Sequence, residues 1–498
     1  MERKMKFKII AHKTVQNSSF EALCYVADPV SVSKEPKDFK HFPQSVLTTF
    51  ESFKKKKLLD STEITSSKTN TLITCPLPQK KGLNEDEQFR LAGTTLYQTC
   101  TNRSIKKVLL EANYLTLNQI KALVEGFSIH SYTFNKYKSA PKASKKLEVT
   151  FSCPEELVKN GNALLKEAQI ILNNIALCRD LVNEPGENLN PQSYAERVSE
   201  LAKTHNLSLK IRGEKELEKD GFTGLLAVGK GSQISPRLLT LSYDNQEANP
   251  KKEGNTELPH LVLLGKGVTF DTGGISLKPG GSMWEMKCDM AGSATVLCAL
   301  LAISQLKLKV KVTAILALAE NRPGLAAILP GDIFKAKNGK TIMVENTDAE
   351  GRLVLTDGLA EAGEVKATHI IDVATLTGAI VRALGTSIAG LFANEDDFAD
   401  QIKQHGASNG EKFWQMPLEA EYRPHIEDTV ADIKNLGKPE GGAISAALFL
   451  QEFVPAKTTW AHLDIAATAF ITSPWKYFTP GATGWGVKTL IETARSFE

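Results

Sequence analysis

Leu261-Val262-Leu263-Leu264-Gly265-Lys266-Gly267-Val268-Thr269-Phe270-Asp271-Thr272-Gly273-Gly274 is the stretch on which the fold turns. Its four leading apolar residues read as a short buried strand. The ten residues after them hold four Gly, one Lys and one Asp. Glycine lets the backbone bend tightly or approach a ligand closely, so this segment reads as a loop beyond the strand. In open α/β sheets ligands bind beyond the carboxyl ends of strands, which makes the loop a place to look for chemistry.

Working outward, further strands are expected at 208–211, 238–243, 309–317, 369–374, 388–393 and 459–465. Helical patterns at 193–204, 293–305, 356–362 and 445–453 lie between them. Such alternation argues for a mainly parallel sheet covered by helices. Toward the N-terminus, 1–10 alternates charged and apolar residues as a first strand would. Residues 72–74 and 107–110 read as strands and 117–127 as a helix. From Leu157 to Ile175 apolar residues recur at helical spacing until the breakers Asn183-Glu184-Pro185-Gly186. The expected class is α/β: a small N-terminal α/β domain over 1–155, a connecting helix over 156–182, and a larger α/β domain over 183–498 with a mainly parallel central sheet covered by helices.

Composition excludes several classes. The chain has 498 residues, 42% hydrophobic and 23% charged, the balance of a globular protein and not of a disordered one. Sixty basic against 57 acidic residues give no electrostatic case for nucleic acid or a membrane surface. The run Lys54-Lys55-Lys56-Lys57 reads as a solvated helix end. Seven scattered Cys without a CxxC pair point to a reducing compartment, hence the cytoplasm. No signal segment is expected, nor an apolar run long enough to span a bilayer. Nine separated His with no HExxH disfavour a His-based zinc protease.

A second chemical stretch is Asn346-Thr347-Asp348-Ala349-Glu350-Gly351-Arg352-Leu353, after the strand-like 340–344. Asp348 has two readings, a cap for the following helix or a cation ligand; Glu350 and Arg352 are either solvated surface or part of a site. The spacing imitates an EF-hand loop, but a strand precedes it and Asn and Asp stand at the two ends. Gly224 to Gly231 imitates a P-loop, but Gly231 replaces the Ser/Thr and a strand follows where a helix is needed. Taken together, Lys266, Asp271, Asp289, Asp348 and Glu350 suggest a carboxylate-rich site for two cations, because converging carboxylates repel unless neutralised. For Lys266 the alternative is a salt bridge inside the acidic cluster.

These stretches resemble the leucine aminopeptidase family, also called cytosol aminopeptidases, over roughly 155–498. The order Lys266, Asp271, Lys278, Asp289 is similar to that family's, and 346–353 reads as its signature. The resemblance implies a metal-dependent aminopeptidase acting on peptides with a free N-terminus through a water shared by two divalent ions (Zn or Mn, with Mg possible). It implies that Asp271 and Glu350 bridge the metals, that Lys266 and Asp289 complete the tighter site, and that Asp348 completes the other. Lys278 would stabilise the oxyanion and Arg352 would hold a bicarbonate, or else orient substrate. Met286, Thr375, Gly378 and Ala466 would line the side-chain pocket, although Met286 and Ala466 also suit core packing. A homohexamer is implied as well. Cys288, Ala291 and Ser293, with 328–332, depart from the family pattern and bear on specificity more than on catalysis. Two rival readings are a non-catalytic or DNA-binding relative and a cysteinylglycine-type dipeptidase.

Overall fold

The computed structural model describes residues 5–11, 20–27, 64–66, 71–78, 82–140, 147–246 and 258–498. Lys54–Lys57 and the N-terminal Met1–Lys4 lie outside the described residues. The chain divides into two compact units, Met1–Leu172 with Ser473–Thr479, and Asn173–Thr472 with Pro480–Glu498. The division falls inside the 29-residue helix Glu155–Asn183.

The first unit carries a six-stranded sheet in the order Met5–Ala11, Leu147–Cys153, Lys107–Glu111, Ala22–Ala27, Thr71–Pro76, Ile64–Ser66. All its pairs are parallel except the last. The helices Glu85–Asn102 and Leu117–His130 pack on each other, and Leu117–His130 starts with a capping box between Thr116 and Gln119. Buried Arg90 is held by Glu87 and Glu125, at 2.8 and 2.7 Å.

The second unit is built on eight strands in the order Phe413–Gln415, Ala389–Ala393, Thr459–Asp464, His369–Ala374, His260–Asp271, Lys311–Asn321, Arg237–Asp244, Ser208–Arg212. Thr459–Asp464, His369–Ala374, His260–Asp271 and Lys311–Asn321 run parallel in the middle. Antiparallel pairs appear toward both edges. Helices Ala291–Leu306 and Gly351–Glu364 pack against the central strands, with Leu264, Ile315, Leu353, Leu355 and Trp460 fully buried among them.

One sequence expectation changes. The glycine-rich segment does not leave the sheet at Leu264; the strand continues to Asp271, because Lys311–Asn321 pairs with it along nearly its whole length. Gly265 and Gly292 serve helix–sheet contact here. A methyl group on Gly265 would lie 2.4 Å from Ser293 Cα, and one on Gly292 would lie 2.0 Å from the Val373 carbonyl oxygen. The loop proper starts at Thr272. A second change concerns apolar length. Gly280–Leu306 is long and apolar enough to cross a membrane by composition, yet 83% of that window is buried inside the protein, as a core helix would be. All seven cysteines are free thiols.

Candidate metal centre

Three adjacent strands end on the same side of the sheet and deliver the site. His260–Asp271 carries Lys266 and Asp271, Lys311–Asn321 ends in Asn321, and His369–Ala374 leads into Thr375. The 3₁₀ segment Gly280–Cys288 brings Asp289 to the start of Ala291–Leu306. The 346–353 stretch enters helix Gly351–Glu364. Two loops are tied together by Thr347: its hydroxyl donates to the Gly273 carbonyl at 2.6 Å and accepts from Ser276 N at 2.8 Å.

All five expected ligand residues meet. Lys266 Nζ lies 2.8 Å from both Asp289 Oδ2 and Glu350 Oε1, and donates to the Thr375 carbonyl at 3.0 Å. Lys278 Nζ lies 2.7 Å from Asp271 Oδ2 and 2.5 Å from Asp348 Oδ1. One carboxylate oxygen from each of Asp271, Asp348 and Glu350 falls within 4.8 Å of the others. Lys266, Asp271, Asp289 and Glu350 are buried, whereas Asp348 is exposed and Lys278 partly so, so the cluster has a closed half and an open half.

Two sequence readings end here. Asp348 does not cap the helix: Glu350 occupies the cap position, and the Asp348 carboxylate turns to Lys278. Glu350 and Arg352 are not solvated surface, being 2% and 5% exposed. The salt-bridge geometry of Lys266 is present in the structure.

Electrostatics explain the two lysines. Four carboxylates meet two ammonium groups, which leaves two negative charges uncompensated in this cluster. Burial and neighbouring carboxylates hold the carboxyls of Asp271, Asp289 and Asp348 above their usual range. Burial works against the charge on Lys266 and Lys278, but their carboxylate neighbours win and hold both ammonium groups above normal. Oxygen donors with surplus negative charge are what divalent cations need, so the residues fit the metals that the sequence implied.

Arg352 is different. Its Nε and Nη1 are buried and have no hydrogen-bond partner among the described residues. Burial lowers its pKa to about 10 in spite of Glu350 and Asp464. A buried guanidinium with open donors fits a small oxyanion.

Of the expected pocket residues, Thr375 donates its hydroxyl to Asp289 Oδ1 at 2.7 Å. Gly378 opens the helix Gly378–Leu384 a few residues on. Ala466 follows the neighbouring strand, whose Asp464 pairs in register with Ala374, so the two loops run side by side. Ala466 also packs on the apolar cluster of Ile380, Phe392, Ala443 and Ala447. Met286 is half-buried on the 3₁₀ segment.

Sequence reasoning missed Asn321. Its amide donates to Asp271 Oδ1 at 2.8 Å and to the Thr347 carbonyl at 2.9 Å, which orients the carboxylate. The available signal was its place at the end of a central strand, where ligand-binding residues gather.

The catalytic-domain profile of the cytosol aminopeptidase family matches residues 176–491. A probable cytosol aminopeptidase of Aquifex aeolicus is 43% identical over 421 residues, 84% of this chain and 83% of the relative. Among solved structures, a mutant of tomato leucine aminopeptidase superposes with a TM-score of 0.84 at 28% identity, covering 99% of this chain and 97% of that one. The bottromycin maturation enzyme BotP, in complex with Mn, gives 0.81 at 33% identity over 96% and 99%. Identity at that level runs over most of both chains, and the match spans the whole carboxylate cluster: the chain belongs to the cytosol aminopeptidase family.

Proposed function

We propose that this chain removes N-terminal residues, leucine-like ones foremost, from peptides at the 266–352 cluster, as a metal-dependent aminopeptidase. The observation that carries the reading is the meeting of four carboxylates, two lysines and an unpaired arginine at one end of the central strands. Asp271, Asp348, Glu350, Asp289 and Lys266 would hold the cations, Lys266 and Asp289 in the closed half, Asp348 in the open half, and Asp271 and Glu350 between them. Two divalent ions there, Zn or Mn with Mg as a further candidate, would supply Lewis acidity and activate water as the nucleophile.

The chain's own residues do the rest. A free α-amine would offer a lone pair to the cation site, which a blocked N-terminus does not, so a blocked N-terminus is disfavoured. Lys278, on the open side, donates to the carbonyl oxygen on which charge develops. Arg352 holds a small oxyanion, bicarbonate by the family's pattern, through Nε and Nη1. Met286, Thr375, Gly378 and Ala466 receive the first side chain; the half-buried Met and the small residues favour an aliphatic one. Lys266 lies buried as an ammonium and must give up its proton before it ligates a cation, so metal uptake releases protons. Family membership supports a homohexamer in the cytoplasm, which sedimentation tests against the 54.4 kDa chain mass.

The deciding experiment strips the protein with a chelator and restores Mn²⁺, Zn²⁺ or Mg²⁺ singly. Hydrolysis of leucine amide should vanish and return, N-acetyl-leucine amide should resist, and Glu350→Gln should stay inactive with any metal. Full activity after complete metal removal would overturn the reading.

A further inference from the structure

We infer that Asp464 is a positioning residue for the closed half of the metal centre, although it touches neither Lys266 nor Asp289. The inference rests on the assignment of those two as metal ligands. Asp464 ends the central strand Thr459–Asp464 and is completely buried. Its partners are neutral: Oδ1 accepts from Leu376 N at 3.0 Å and Ala466 N at 3.2 Å, and Oδ2 from the Thr377 hydroxyl at 2.7 Å. A buried carboxylate is costly; this one has three neutral hydrogen-bond donors and, among the described residues, no ion-pair contact, with the charges of His462 and Arg352 acting on it only from beyond salt-bridge distance, so it needs a reason beyond packing.

The reason lies one step away. Leu376 and Thr377 follow Thr375, whose carbonyl accepts from Lys266 Nζ and whose hydroxyl donates to Asp289 Oδ1. Asp464 therefore clamps the far side of a turn whose near side orients two proposed ligands. Ile465 N donates to the Ala374 carbonyl at 2.8 Å, and Thr377 Oγ1 accepts from Ile380 N at 3.1 Å, so both flanks of the turn are fixed. Release of the clamp leaves Thr375 free to rotate, and Lys266 and Asp289 then lose a shared partner each. Outer partners of metal ligands commonly govern affinity in this way.

The test measures Mn²⁺ binding by calorimetry on chelator-stripped full-length protein, beside leucine-amide kinetics. Asp464→Asn should bind Mn²⁺ about 10-fold or more weakly, and kcat should fall more than KM rises. Thr489→Val removes a comparable buried hydroxyl bond, to Glu411 at 2.6 Å, far along the chain from the site. It should lower Tm yet bind Mn²⁺ as the parent does. If Asp464→Asn proves insoluble, Thr377→Val, which keeps the carboxylate but removes one clamp bond together with the cap bond from Ile380 N, should show a loss in the same direction. Parent-like Mn²⁺ affinity in the soluble clamp variant, or an equal loss in Thr489→Val, would overturn the role of Asp464. Failure of the parent protein to bind Mn²⁺ would instead overturn the metal assignment itself, and this inference with it.

Discussion

Gly351→Ala is the sharpest probe of the site, because the three atoms nearest the added methyl all belong to Lys266. The position begins helix Gly351–Glu364 with a backbone that any residue adopts, so the substitution brings no conformational strain. The new methyl would lie 2.6 Å from Lys266 Nζ, 2.7 Å from Cε and 2.9 Å from Cδ. Ordinary contact begins near 3.4 Å, so Lys266 must retreat by about 0.8 Å. Its ammonium is 2.8 Å from Asp289 and from Glu350, and the side chain is 3% exposed, which leaves no free direction. At an effective dielectric constant of about 20, a pair of charges is worth about 5.9 kcal/mol at 2.8 Å and about 4.6 at 3.6 Å. Two pairs stretched along their axes lose about 3 kcal/mol, against which alanine's helix propensity returns at most about 1. Denaturant unfolding of the metal-free protein should show a net loss of about 2 kcal/mol. Turnover of leucine amide by the Mn²⁺-restored variant should fall about 100-fold, the usual effect of displacing a reacting group by an ångström. A Gly351→Ala protein with parental stability and turnover would refute the packing of Lys266 against the signature glycine.

Asn321→Ala removes the two amide bonds to Asp271 and Thr347, and should cost about 1–3 kcal/mol of stability with about 10-fold weaker Mn²⁺ binding; calorimetry that finds unchanged affinity would remove Asn321 from the site. Asp357 is buried on helix Gly351–Glu364, accepts from Leu225 N at 2.7 Å, and has its carboxyl pushed up to about 7 by burial. An acid whose folded pKa is raised holds its proton longer in the native state, so stability is lost as pH rises from about 4 to about 7, by on the order of 4 kcal/mol. Asp357→Asn has no such proton. Its unfolding free energy should gain on the parent between pH 5 and pH 8, and parallel pH profiles would count against the buried-acid account.

Much of the catalytic unit was legible in order along the chain. Strand and helix alternation from Pro191 onward carried the α/β architecture, since buried strands and core helices are written in apolar runs of different period. Boundaries were less legible. The strand His260–Asp271 outruns its apolar run because glycine weakens the pattern locally, while pairing to Lys311–Asn321 comes from residues some fifty positions away. The same distance hid Asn321, whose amide has no meaning until strand register sets it beside Asp271.

The sequence by itself determined the chemical inventory. A lysine, three aspartates and a glutamate at characteristic intervals, with few clustered histidines, already specified a carboxylate centre and the family it resembles. Only the tertiary structure decided what those groups do to one another. Parallel pairing of distant strands puts Asp348 against Lys278, leaves Arg352 with open donors, and ties the Thr375 hydroxyl to Asp289. The physical reason is that residue types are local, whereas burial, charge compensation and hydrogen-bond partnership belong to the space that folding creates.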